Sequence, residues 1–198
     1  MTPFTRRIHQ AIDLAARAHA GQVRKDPDVE IPYVAHVCAV AYLLAEHGFS
    51  EDVVIAGFLH DVLEDRPEFA SQVGEFGQKV VELIRQVSER KVDGQGKIPW
   101  KQRKAAYIAH LRTAPPDAKA ISCADKIHNM ESLLMALERG ADVWSSLSAP
   151  RHDQLARFEA LREALATGWD HPLLGRYDVL FSALREKLGE EPAQGGGT

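Results

Sequence analysis

The chain holds only two cysteines in 198 residues, Cys38 in "HVCAVAYLL" and Cys123 in "AISCADKI", both in apolar helical contexts. That scarcity argues against a disulfide framework and fits a reducing compartment. Positive charge is also sparse: 24 Lys and Arg against 28 Asp and Glu leave a net charge of −4. No global basic field exists to attract nucleic acid or an anionic membrane surface. Long apolar runs are missing, so no span approaches transmembrane length. The opening "MTPFTRRIHQAIDLA" shows no apolar h-region with a cleavage site. These absences predict a cytoplasmic protein with neither a nucleic-acid nor a membrane partner. The two-residue alternation of a half-buried strand is absent as well.

What the chain does have is helical period. Apolar residues recur at three- and four-residue spacing almost throughout. The spacing predicts helices near 4–20, 35–48, 51–65, 68–77, 78–90, 100–113, 116–139, 150–167 and 172–188, an all-α fold. Ser50 stands as an N-cap before acids in a first turn. Gly21 and Gly48 fall at C-cap positions, and Pro67, Pro116 and Pro172 lie at or just before first turns. With 45% hydrophobic residues, this length suits one domain and one core. We assign 1–190 to the domain and 191–198, "EPAQGGGT", to a flexible tail. Two segments resist the helical period, "GQVRKDPDVEIPY" (21–33) and "RKVDGQGKIP" (90–99). Loops of that length within a compact domain are more often functional than idle.

The stretch "FLHDVLED" puts His60, Asp61, Glu64 and Asp65 at the end of an apolar helix. Residues three and four apart share a helix face, so these carboxylates crowd one another and face the negative end of the helix dipole. A random acidic helix end is usually solvated. Here no Lys or Arg lies within five residues upstream, and something positive must sit nearby. A second stretch, "AKAISCADKIHNMESLLMAL", is an apolar helix with one polar stripe made of Ser122, Asp125, Asn129 and Ser132. A buried aspartate without a partner is costly, whereas one on a metal is not. His36 in "PYVAHVCAVAYLL" is the remaining candidate, though a lone histidine of this kind is more often a satisfied core residue. Together His36, His60, Asp61 and Asp125 make a two-His, two-carboxylate set suited to Mn²⁺, Fe²⁺, Co²⁺ or Zn²⁺, with positions left for water and substrate.

The order H…HD…D on successive helices resembles the HD superfamily of metal-dependent phosphohydrolases, a single-domain helical bundle. The fuller pattern, "RKDPDVEIPYVAHV", "GFLHDVLED" and "ADKIHNM", resembles the hydrolase domain of RelA/SpoT-type alarmone enzymes, most closely the small alarmone hydrolases. The likeness runs from about residue 5 to about residue 140. It implies that His36, His60, Asp61 and Asp125 hold Mn²⁺, and that Glu64 and Asp65 orient the attacking water and handle protons. It implies removal of the 3′-pyrophosphate of guanosine tetra- or pentaphosphate, giving GDP or GTP. Only hydrolysis is implied, because the chain ends where a synthetase domain would begin.

The resemblance also maps Arg24 and Lys25 to the nucleobase, and Asn129 and Ser132 to the nucleoside pocket. Lys97 and Lys101 match only by neighbourhood and are expected to meet the pyrophosphate. Tyr33 precedes the first ligand and either serves the site or merely packs. Two departures stand out: the inserted "DPDVEI" lengthens the first loop, and Glu131 replaces the family's usual arginine after "HNM". Both bear on substrate rather than metal. They leave an adenine alarmone, NADPH or another phosphorylated nucleotide as alternatives, and a catalytically silent alarmone-binding protein as a third.

Overall fold

A computed structural model describes residues 2–94, 96–144 and 149–189; the proposed tail at 191–198 lies outside them. The order is α1 (Arg6–Ala18), α2 (Val34–Glu46), α3 (Glu51–Leu59), α4 (Val62–Asp65), a 3-10 turn (Pro67–Phe69), α5 (Ala70–Gly74) and α6 (Gln78–Val87). A two-residue hairpin, β1 (Val92–Asp93) and β2 (Gly96–Lys97), pairs Val92 with Lys97. Then come α7 (Trp100–Thr113), α8 (Pro116–Glu138), α9 (Arg151–Ala166) and α10 (Pro172–Gly189). The fold is all-α; among the described residues the departures are this hairpin and an isolated antiparallel bridge between Val23 and Pro32.

α8 is the axis. It packs against α2, α6 and α10, with further contacts to α3 and α9. One core joins residues from Ile8 to Leu184, and Leu44, Ile55, Leu59, Ile121 and Ile127 are among its fully buried side chains. Each such side chain contributes about 1.5–3 kcal/mol of burial. α2 and α3 approach closely because Gly57 faces α2. A Cβ there would sit 2.6 Å from Leu44 Cδ1 and 3.2 Å from the Ala41 Cα. That approach sets the His36 and His60 rings 5.3 Å apart.

Three expected elements differ in detail. The helix predicted over 51–65 is two helices, α3 and α4, with His60 and Asp61 in the turn between them. His60 Nδ1 donates to the Gly57 carbonyl at 2.8 Å there. The segment 68–77 splits at the 3-10 turn, as Pro67 at its first position favours. Ser50 precedes α3 as expected, but its side chain makes no capping hydrogen bond; its carbonyl accepts from Val53 and Val54 instead.

Candidate active site

A cavity of about 680 Å³ opens where α2, the α3–α4 turn and α8 converge. On its floor, ligand atoms of His36, His60 and Asp125 all lie within 4.8 Å of one another. His36 Nε2 is 3.3 Å from Asp125 Oδ1. Asp61 Oδ2 lies beside them, 3.2 Å from His60 Nε2 and 3.6 Å from His36 Nε2. The two rings are aimed from behind. His60 Nδ1 is occupied by the Gly57 carbonyl, and His36 Nδ1 lies 2.8 Å from His128 Nδ1. Both Nε2 atoms therefore face the cluster, and His60 Nε2 is buried with no hydrogen-bond partner. A buried nitrogen without a partner, beside two carboxylates and a second imidazole, fits a divalent cation bound through neutral imidazoles oriented by outer partners.

The electrostatics agree with that fit. Burial works against charge on His60, yet Asp61 and Asp125 outweigh it and raise the group to about 9. Burial lowers His36, against the pull of Asp125. Asp61 and Asp125 resist the upward push of burial and stay well below the usual carboxylate range. His60 holds Asp61 there, and Lys126 with the two histidines holds Asp125. A divalent cation held by these residues would take the place of the proton on His60 and would neutralise the same carboxylates.

Asp125 is buttressed on both oxygens: Lys126 Nζ donates to Oδ2 and Asn129 Nδ2 to Oδ1. Asn129 Oδ1 in turn accepts from Arg24 Nη2 at 2.8 Å. Tyr33 donates its hydroxyl to Asp61 Oδ2 at 2.5 Å, while burial and Asp61 keep the phenol protonated. Tyr33 thus touches the cluster rather than merely packing.

Glu64 and Asp65 flank the floor. Glu64 Oε2 accepts the Glu89 backbone N–H at 2.9 Å, and burial raises its pKa. Lys91 Nζ bridges the pair, 3.0 Å from Glu64 and 2.7 Å from Asp65. The opposite wall is cationic. Lys104 and Lys126 line it with Arg157, whose Nε is buried without a partner. Burial lowers Lys104 to about 8 and the like charges of Lys126 and Arg157 add to the effect, against the pull of Glu89.

The structure brings most of the expected residues to this cavity and leaves two outside. His36, His60, Asp61, Glu64, Asp65, Asp125, Arg24, Lys25, Asn129 and Ser132 all line it. Arg24 also lies over the Tyr33 ring, 5.7 Å from its centroid. Ser132 donates to the His128 carbonyl at 2.9 Å. Lys97 and Lys101 do not line the cavity. Lys97 is exposed on β2, and Lys101 is 76% exposed and paired with Asp153 at 3.0 Å. The reason is geometric. The hairpin turns Lys97 outward, while α7 presents Lys104, one turn after Lys101, to the inside. Glu131 lies outside too, in a second cavity with Arg176. Sequence reasoning missed His128, Lys91, Lys104 and Arg157. His128 follows Asp125 at helical spacing of three and was legible; the lysines and the arginine carried no periodic signal.

The profile of the HD domain family matches residues 11–155. The chain belongs to that family. It is 33% identical over 139 residues to human guanosine-3′,5′-bis(diphosphate) 3′-pyrophosphohydrolase MESH1, covering 69% of this chain and 73% of that one. The Xenopus tropicalis MESH1 is 30% identical over 179 residues, covering 88% and 92%. The bifunctional (p)ppGpp synthase/hydrolase SpoT of Escherichia coli K12 is 35% identical over 135 residues, but these make up only 18% of its length. A solved structure described as a metazoan ortholog of SpoT that hydrolyzes ppGpp superposes with a TM-score of 0.77 at 27% identity, covering 92% of this chain and 98% of that one.

Proposed function

We propose that the chain is a metal-dependent phosphohydrolase that removes the 3′-pyrophosphate of guanosine tetra- or pentaphosphate, releasing pyrophosphate and GDP or GTP. The observation that carries this reading is the unpartnered His60 Nε2 beside Asp61, Asp125 and His36, with a carboxylate pair and a cationic wall in the same cavity. Relatives of matching length bear the name of that activity. In this reading His36, His60, Asp61 and Asp125 hold one Mn²⁺, and the protein works in the cytoplasm. No described helix is long and apolar enough to cross a membrane.

When bound, the ion lowers the pKa of a water and polarises a phosphoryl oxygen. The protein's own groups do the rest. Glu64, with its raised pKa, takes a proton from the water, and Asp65 orients that water. Lys91 spans both carboxylates and limits their mutual repulsion. Lys104 and Arg157, in place of Lys97 and Lys101, face a leaving group that carries several negative charges. Arg24 and Lys25 take the base, with the Arg24 plane suited to stacking; Asn129 and Ser132 take the ribose.

An adenine alarmone stays a second reading because of one observation, an altered wall where the base would be read. The inserted segment contributes Asp26 and Ile31 to the cavity wall beside Arg24, where a base would be read, and Arg139 pins Asp26 in place. The test is phosphorus NMR of the Mn²⁺-loaded protein with ppGpp, ppApp and NADPH. Pyrophosphate as the first product from ppGpp supports the reading, and from ppApp alone selects the adenine form. Inertness toward both alarmones alongside turnover of NADPH overturns it.

A further inference from the structure

His19 closes α1 as its C-cap residue and is only 3% exposed. Its Nδ1 lies 2.8 Å from Gln22 Oε1, and its Nε2 is buried with no partner. Gln22 Nε2 donates to Asp65 Oδ2 at 2.9 Å. The two neighbours fix the amide's orientation, because the carboxylate only accepts and must face the NH₂ end. Gln22 Oε1 then requires a donor, so His19 carries its hydrogen on Nδ1. That contact fixes the Nδ1–H form of the ring, with Nε2 buried behind it. The ring packs against Tyr33 with centroids 4.9 Å apart, and Tyr33 N–H donates to the Gln22 carbonyl at 2.8 Å.

Asp65 therefore has two anchors of different kinds. Its Oδ1 is held by Lys91, whose side chain is 43% exposed, and its Oδ2 by an amide backed by a buried ring. A flexible exposed lysine holds charge but fixes orientation poorly; the amide, pinned at both ends, fixes it well.

We infer that His19 and Gln22 are positioning residues whose hydrogen-bond chain sets the orientation of the Asp65 carboxylate toward the attacking water. This rests on the role proposed above for Asp65. The same ring packs against Tyr33, whose hydroxyl holds Asp61, so one buried side chain steadies both the water-orienting carboxylate and a carboxylate of the metal cluster.

Two measurements test it. The first uses the protein alone: ¹⁵N NMR of the imidazoles should show His19 as the Nδ1–H tautomer, and Gln22→Met should abolish that preference. The second is a double-mutant cycle on 3′-pyrophosphate release. Gln22→Glu, which places an acceptor against Asp65, should lower kcat about 10- to 100-fold with KM within threefold and metal content unchanged. In an Asp65→Asn background the same change should cost less than twofold. An Nε2–H tautomer in the unaltered protein overturns the inference. So does an unchanged kcat in Gln22→Glu, or an equal loss in both backgrounds, which would mark Gln22 as structural. The tautomer is read without turnover, so it decides the arrangement even where the protein proves inert toward 3′-pyrophosphates.

Discussion

On one wall of the cavity, His36 and Asp125 come from α2 and α8 and His60 from the turn that ends α3, elements that pack directly on one another, and each is aimed by a hydrogen bond from the same helical layer. On the other wall, Lys91 comes from the loop before the hairpin, and Lys104 and Arg157 from α7 and α9, which pack mainly on each other. The first wall is fixed by core packing, down to the missing Cβ of Gly57. The second is fixed by charge: Glu89 holds Arg103 at 2.9 Å and also holds Lys104, while Arg157 is left without a carboxylate partner among the described residues. A metal needs rigid donors at short range, whereas a phosphate tail is satisfied by positive charge on longer side chains. Under the proposed function the two walls divide the work accordingly, and they should fail differently when altered.

The largest effect belongs to the first wall. Asp61→Ala and Asp125→Ala each remove a donor and the compensation it gives the cation. Turnover in both should fall by about 10³-fold or more, since the ion supplies several kcal/mol of transition-state stabilisation. Single-turnover kinetics on ppGpp check this. Next comes the pair between the walls. Glu64→Gln keeps size but removes the proton acceptor, so kcat should fall by roughly 10²-fold or more with little change in KM. A loss confined to KM would move Glu64 into substrate binding.

His128→Leu sharpens the division from behind the metal. It removes the partner of His36 Nδ1 without touching the cavity's charge, since burial brings His128 down to about 4 and keeps it neutral. Metal affinity should weaken about 10- to 100-fold, as for other outer partners of a ligating imidazole. On the second wall, Arg157→Met should raise KM for ppGpp by about 10-fold, the worth of one lost charge-assisted hydrogen bond, and leave metal content unchanged. Lys97→Ala and Lys101→Ala, outside the cavity, should stay within about twofold on every parameter.

The pH dependence follows from His60. Its pKa in the metal-free fold is raised to about 9, above the ordinary 6.5, so below pH 9 it carries a proton. A cation must displace that proton. Metal binding at pH 7.5 should release about one proton from His60, and apparent affinity should rise roughly tenfold per pH unit up to about pH 9, then level off. Calorimetry in buffers of different ionisation enthalpy measures the release. Affinity that falls as pH rises between 7 and 9 would contradict the assignment.

The contrast between walls also explains what was legible in the sequence. His60, Asp61 and Asp125 stood out because a polar residue on an apolar helix has few cheap places to go. Spacing then told which of its neighbours share its face. His128 obeyed the same rule and was overlooked only because Asp125 already filled the role. Lys91 sits in a loop with no period, and nothing in "RKVDGQGKIP" distinguishes it from Lys97. Lys101 and Lys104 lie one turn apart on α7, and only the direction in which α7 packs against α9 decides which points inward. The break between α3 and α4 was hidden for a related reason, since the His60–Gly57 hydrogen bond that accompanies it leaves no mark on hydrophobic period.

The most direct test of this division is the metal content of four purified proteins, read by inductively coupled plasma mass spectrometry after loading with Mn²⁺ and desalting. The unaltered protein, Glu64→Gln and Arg157→Met should each hold one ion per chain, and Asp125→Ala should hold none. An ion retained in full by Asp125→Ala, or lost from Glu64→Gln, would contradict the separation between the helices that hold the metal and the groups that use it.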